Sequence, residues 1–404
     1  MKSSQPINGL LDSLVRSRLL HSQRLPAYGL FVCLGILGGF LTALLLALLV
    51  PLSPAPVLIC VGSGLAAALA LAYGTRVARG AEVYSFYHYQ LAVMGAGAAA
   101  LWILRQPVLM NLDVLILSLG ITQAVGRLGC LVAGCCFGRP CEFGVCYASE
   151  HAVNGFPCTL VGVRLIPIQL IESIWIVISV TVGVLVLFQK AQAGSVVCWY
   201  TVLYSSGRFF FEFQRMDALC RFANLTEAQL TSLILVAVVA AIELSRWLPL
   251  HPVHIIAAAS LLVISIVQAL RNSEAEVLSG QHALELAVAV RAASTADGNP
   301  SNKAACAGKE IRVSRTSLGL LISGGRVDAE RGCLLHYSIS REGRSLTIRS
   351  ARRLARLLAK LNGCEAVRLV RGTHAFHALM FVATGRENAT IEETQFWFAP
   401  EVRK

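Results

Sequence analysis

The chain has 404 residues, of which 55% are hydrophobic and only 14% charged, with a net charge of +12 and a mean hydropathy of +0.64. A soluble domain carries about 25% charged residues, so a soluble enzyme is excluded, as are a disordered protein and a collagen-like fibre. The charge is also segregated: residues 25–270 hold 11 Lys/Arg and 9 Asp/Glu, and the rest crowd into the ends.

Residues 1–26 form a basic tail with Arg16, Arg18 and Arg24. The apolar run that follows is too long for the h-region of a signal peptide, so it predicts a retained first helix. A hydrocarbon core about 30 Å thick takes about 20 helical residues. Eight stretches qualify or nearly so: 27–50, 55–73, 86–104, 112–133, 167–189, 195–213, 228–247 and 252–270. The predicted fold class is therefore an all-α polytopic membrane bundle of seven or eight transmembrane helices over 27–270, with a small C-terminal α+β soluble domain. Lys2, Arg16, Arg18, Arg24, Arg76 and Arg79 fall on the side of the N-terminal tail, against Arg105, Lys190 and Arg246 opposite. The positive-inside rule then puts the amino terminus in the cytoplasm. The excess of Lys/Arg fits anionic lipid better than nucleic acid as a partner.

Residues 271–308 read as a linker, part helix and part flexible. The region 309–404 is basic, with 17 Lys/Arg against 9 Asp/Glu. Strand-like runs are expected at 310–314, 334–340, 345–349, 366–370 and 375–382, separated by Gly-Gly-Arg and Arg-Glu-Gly-Arg turns. Ser350 is expected to cap a helix through about Leu361, with Gly363 just past its end. Arg352, Arg353, Arg356 and Lys360 give that helix a solvated basic face near the membrane surface.

Ionisable groups inside a membrane are costly and usually face a cavity or a partner. On the sixth stretch Tyr204, Arg208, Glu212 and Arg215 share one helical face by their i, i+3/i+4 spacing. Arg215 has no obvious acidic partner on its own helix. On the fourth stretch Asp113 begins the helix, and Gln123 and Arg127 share a face. Arg127 sits among Gly126, Gly129, Gly134 and Gly138, which bring backbone close either to a neighbouring helix or to a phosphate-bearing ligand. Arginine suits bidentate phosphate binding. The fifth stretch opens with Pro167-Ile-Gln169-Leu-Ile-Glu172, and the third with Phe86-Tyr87-His88-Tyr89-Gln90. Alone, His88 is equally a member of an interfacial aromatic belt.

In this order the pieces resemble the prolipoprotein diacylglyceryl transferase family over roughly residues 27–245. Tyr28-Gly-Leu30 is similar to the family's entry to its first helix, and Ser85-Phe-Tyr-His88 to the segment of its essential histidine. Gly126-Arg127-Leu-Gly129, then Gly134 and Gly138, follow the family's signature spacing. Pro167, Gln169 and Glu172 match a second motif, and Arg208 to Asp217 a third. Cys130 and Cys135 stand where the signature has asparagine and glutamate, and Ile166 stands where the second motif has histidine. The resemblance implies a multi-pass enzyme of the bacterial plasma (inner) membrane, with its amino terminus and signature loop facing the periplasm, opposite to the charge count. It implies phosphatidylglycerol as donor, the lipobox cysteine of a prolipoprotein as acceptor, and no metal or cofactor. His88 would be the base, and Arg127 and Arg208 would bind the phosphate and stabilise the leaving group. Tyr28, Gly126, Gly129, Gly134, Cys135, Gly138, Gln169, Glu172, Tyr204, Glu212 and Arg215 would line the substrate site.

Six of the 13 cysteines fall between Cys130 and Cys158. No CxxC pair is present, so the metal signal is weak. A disulfide between helix end and loop suits a periplasmic location, and packing or reactive thiols are the other options. A redox or metal protein on the same fold, with the basic domain as a binding module, is the alternative to the transferase.

Overall fold

Apolar runs bounded by Pro, Gly and charge become helices in the computed structural model, which describes residues 5–15, 27–50, 52–79, 86–153, 155–217, 220–222, 224–270, 280–295, 313–329, 332–343, 345–364 and 366–383. The tail arginines Arg16, Arg18 and Arg24, Ser85, and the start of the strand expected at 310–314 lie outside the described residues. The chain divides into two units, one built mainly from residues 1–272 and the other mainly from 273–404, with Pro140–Glu142 and Pro157–Arg164 belonging to the second.

The first unit opens with a short helix, α1 (Gln5–Val15). Four long helices follow: α2 (Ala27–Leu49), α3 (Pro54–Arg79), α4 (Phe86–Ile103) and α5 (Val108–Ala133). After them come a strand, β1 (Pro140–Cys146), the one-turn α6 (Ser149–Val153) and the two-residue β2 (Arg164–Leu165). Next are α7 (Ile168–Phe188), α8 (Ser195–Glu212), the short strands β3 (Cys220–Phe222) and β4 (Leu225–Thr226), then α9 (Glu227–Leu244) and α10 (Pro252–Ala269). The region is thus mostly but not wholly helical.

Six of these helices (α2, α3, α5, α7, α9 and α10) are long and apolar enough to cross a membrane. Of the seven or eight spans expected, six meet that measure among the described residues; α4 and α8 fall short of it because they carry polar side chains. In α8 those side chains point inward: Tyr200, Thr201, Tyr204, Ser205, Arg208 and Glu212 are all buried. Buried polar groups of this kind face the bundle rather than the hydrocarbon.

The core forms around α5. α2 lies directly on it, and a side chain on Gly35 would stand 2.7 Å from the Thr122 carbonyl oxygen. Small residues let helix backbones approach this closely where no hydrophobic effect drives association. Asp113 does not begin α5, which starts five residues earlier. Its buried carboxylate instead accepts from the Gly194 N–H at 2.7 Å and the Val197 N–H at 2.9 Å, capping α8 from a neighbouring helix.

The second unit holds α11 (Gly280–Thr295), β5 (Val313–Arg315), β6 (Leu320–Ala329), β7 (Gly332–Arg341), α12 (Ile348–Leu361), β8 (Arg368–Arg371) and β9 (Phe376–Ala383). The sheet is antiparallel with order β5-β6-β7-β9-β8. Leu320, Ile322, Leu335, Tyr337, Ile339, Ala378 and Met380 pack against Leu354 and Leu358 of α12 and Leu286 and Val290 of α11. So part of the stretch read as a linker packs into the core of the sheet. Gly324 and Gly325, read as a turn, sit inside β6 opposite Tyr337 and His336. No strand forms at 345–349, because α12 starts there: Thr347, not Ser350, is its cap, and the Ser350 N–H donates to the Thr347 hydroxyl at 3.3 Å.

Candidate functional site

Arg127 on α5 and Arg208 on α8 turn toward the same carboxylate. Glu172 Oε1, on α7, lies 2.9 Å from Arg127 Nη2 and 3.6 Å from Arg208 Nε. Glu172 is 1% exposed, Arg208 5% and Arg127 8%. One turn beyond Arg208, Glu212 Oε2 approaches Arg208 Nη1 to 2.6 Å. Charges buried this deeply persist only when paired, and here cation and anion alternate across three helices.

Arg215 extends the chain of charges. It lies 3.7 Å from Glu212 and closes on Asp217 with two hydrogen bonds, at 2.9 Å from Nε and 2.7 Å from Nη2. The expectation that it lacks an acidic partner is corrected. The helix ends at Glu212, and the turn beyond it brings Asp217 back onto the guanidinium. The signature loop is stitched to this turn: the Arg139 N–H donates to the Gln214 carbonyl at 3.0 Å and the Met216 N–H to the Phe137 carbonyl at 3.2 Å. A side chain on Gly138 would stand 2.5 Å from the Ile166 carbonyl oxygen, so only glycine fits there.

A buried aromatic wall continues inward from the arginines. The Gln123 amide donates to the Tyr204 hydroxyl, and the Tyr200 hydroxyl donates to Gln123 Oε1 at 3.3 Å. Tyr204 stacks on Tyr200 and meets the edge of Tyr87, which hydrogen-bonds Ser205 and Ser232. Next to Tyr87 on α4, His88 is half-buried. Its Nε2 lies 3.3 Å from Oε1 of Glu227, the first residue of α9. Glu227 is a residue that the sequence reading missed. The signal was present, since Thr226-Glu-Ala-Gln229 forms a capping box that fixes Glu227 at a helix start.

The remaining expected site residues divide. Gly126 faces open space, whereas a side chain on Gly129 would stand 2.7 Å from Phe31 Cβ. Gly129 therefore permits the α2–α5 contact, and Tyr28, at the start of α2, is close beside it. Gln169 holds the signature loop: its amide donates to the Cys135 carbonyl at 2.6 Å and to the Tyr147 hydroxyl at 3.4 Å. Gly134, left-handed at φ 77°, ends α5. Cys130, Cys135 and Cys136 carry free thiols, so the disulfide expected at the helix end does not involve them. Hydrogen bonds from Cys130 and Cys135, with Arg215 and Arg127 nearby, hold the Cys136 thiol well below its usual range, while hydrogen bonds with Cys130 and Cys136, together with burial, push the Cys135 thiol up.

The family model described as prolipoprotein diacylglyceryl transferase matches residues 18–245. The phosphatidylglycerol–prolipoprotein diacylglyceryl transferase 2 of Clostridium perfringens is 30% identical over 157 residues, 37% of this chain and 58% of that protein. The corresponding transferase of Dehalococcoides mccartyi is 33% identical over 152 residues, 36% of this chain and 56% of that protein. The chain thus spans somewhat over half the length of these relatives. No solved structure matches.

Proposed function

The chain belongs to the prolipoprotein diacylglyceryl transferase family, and on that premise we propose that it moves a diacylglyceryl group from phosphatidylglycerol to the cysteine thiol of a prolipoprotein lipobox. The thiolate sulfur attacks the terminal glyceryl carbon. The carbon–oxygen bond to the phosphate breaks, glycerol phosphate leaves with the electron pair, and a thioether remains. The observation that carries this reading is the convergence of Arg127 and Arg208, from separate helices, on the buried Glu172.

A guanidinium has five N–H donors. Glu172 engages Arg127 Nη2 and Arg208 Nε, Glu212 engages Arg208 Nη1, and these contacts set the orientation of both forks. The free N–H groups then face the lipid phosphate and stabilise the charge that grows on the leaving oxygen, in a site shielded from water. Arg215, anchored by Asp217, adds positive potential at the mouth. His88 takes the acceptor thiol's proton, because the thiolate and not the thiol is the nucleophile. Glu227 orients the imidazole and stabilises its protonated form. Tyr28, Tyr204, Gly126, Gly129, Gly134, Cys135, Gly138 and Gln169 line or shape the head-group site. In this reading α4 and α8 also traverse the bilayer, completing an eight-helix inner-membrane domain over 27–270. Residues 309–404 serve as an accessory basic domain toward anionic lipid rather than nucleic acid.

Complementation tests it. In a host depleted of its own transferase, the wild-type chain restores the mass gain of a lipobox substrate. Arg127→Ala and Arg208→Ala, inserted at equal levels, do not. Maturation at the wild-type rate by both variants ends the proposal.

A further inference from the structure

The end of α5 gathers three thiols. Cys130 lies in its last turn. Left-handed backbone at Gly134 (φ 77°) and again at Cys136 (φ 54°) folds the chain back over that turn. The sulfurs of Cys130, Cys135 and Cys136 all lie within 4.8 Å of one another. A left-handed non-glycine residue costs about 1–2 kcal/mol, so the third thiol is held there by its surroundings. The N–H groups of Gly134 and Cys135 donate to the Cys130 carbonyl at 3.0 and 3.2 Å. Gln169 fixes the Cys135 carbonyl from α7, and the Tyr147 hydroxyl donates to the Leu131 carbonyl at 2.9 Å.

We propose that Cys130, Cys135 and Cys136 bind a thiophilic d10 cation, Zn(II) or Cu(I), through three thiolates. With metal–sulfur bonds of about 2.3 Å, three sulfurs around one ion stand about 3.8–4.0 Å apart, in tetrahedral or trigonal geometry. The observed limit of 4.8 Å is within about 1 Å of that spacing. An all-sulfur donor set excludes Mg²⁺ and Ca²⁺, which take oxygen, and favours soft ions. Binding releases the thiol protons to solvent. Three thiolates with a divalent ion sum to a net −1, and Arg127 and Arg215, both close enough to act on Cys136 electrostatically, offset it. Cys130 is buried while Cys135 is exposed. The ion therefore enters from the Cys135 side and keeps an exchangeable position there. The site stands independently of the transferase reading, since its readout is metal binding.

The test uses the full chain, purified in detergent, reduced and stripped of metal. Titration with Cd(II), a spectroscopic stand-in for zinc, is followed by sulfur-to-metal charge-transfer absorption, and Cu(I) is run anaerobically in a second arm. One equivalent is expected to saturate the band. Cys130→Ser, Cys135→Ser and Cys136→Ser each weaken binding at least tenfold, while Cys60→Ser and Cys198→Ser leave it unchanged. Uptake of one equivalent of Zn(II) by the metal-free protein in competition with a chromophoric chelator assigns zinc, and saturation by Cu(I) without such Zn(II) uptake assigns copper. On the unmodified protein, bound ion protects Cys135 from alkylation, read by mass spectrometry. Absence of a band with either ion, persistence of the band in the triple serine variant, or no protection of Cys135 overturns the proposal.

Discussion

Replacing Glu172 by glutamine keeps the shape and removes the charge shared by two buried guanidiniums. At an effective dielectric near 20, each unit-charge contact at about 4 Å contributes about 4 kcal/mol. Two such contacts, to Arg127 and Arg208, give a gross loss of about 8 kcal/mol. The carboxylate's own dehydration is no longer incurred, and breaking a buried pair costs about 3–5 kcal/mol net in comparable cases. Glu212 still neutralises Arg208 at 2.6 Å, so the expected cost is at the lower end, about 3 kcal/mol. The assay is equilibrium unfolding in mixed micelles, run as a double-mutant cycle of Glu172→Gln with Arg127→Met. The coupling energy should exceed about 1 kcal/mol, since contacting groups do not add. A destabilisation under 1 kcal/mol for Glu172→Gln, together with additive effects in the cycle, would refute the shared-carboxylate account.

Gly129→Ala drives a methyl into Phe31 and should lower unfolding stability by about 1–3 kcal/mol, whereas Gly126→Ala, facing open space, should stay within about 0.5 kcal/mol; thermal midpoints in detergent compare them. His88→Gln should slow thioether formation by about 10²–10⁴-fold. Glu227→Gln should slow it less while leaving the KM for phosphatidylglycerol nearly unchanged, and a large rise in KM would argue against an orienting role. In the second unit, Thr347→Ala should cost about 1 kcal/mol through the lost cap and Ser350→Ala markedly less, measured as hydrogen-exchange protection of α12.

Helix positions were legible because apolar runs of about 20 residues have few alternatives, and the ends of α7 and α8 fall within about a residue of those expected. The start of α5 was not, since nothing in Val108–Met110 distinguishes helix from loop until Asn111 and Asp113 are seen to be buried. Arg127, Arg208 and Glu212 could be placed on helical faces from spacing alone. That Glu172 joins the two arginines could not, because it depends on how α7 packs between α5 and α8. The sheet was read less well. Gly324-Gly325 carries the composition of a turn, yet pairing with β7 makes it strand interior. The proximity of three cysteines was hidden for a related reason. A CxxC spacing places two thiols in one tight turn, whereas here a helix end and a left-handed reversal bring positions 130, 135 and 136 together.

The Asp113 cap gives the two arginine-bearing helices a second tie. α5 and α8 run in the same direction, joined near their starts by Asp113 on Gly194 and near their ends by Glu172 between Arg127 and Arg208. From Asp113 to Arg127 and from Gly194 to Arg208 the separation is the same, fourteen residues, or about 21 Å of rise. Two rungs of equal height lock the pair like the sides of a ladder. One helix cannot ratchet past the other without severing both rungs at once. Any opening that admits a lipid must come from tilting or from the outer helices, and the spacing of the two guanidiniums is carried through it unchanged.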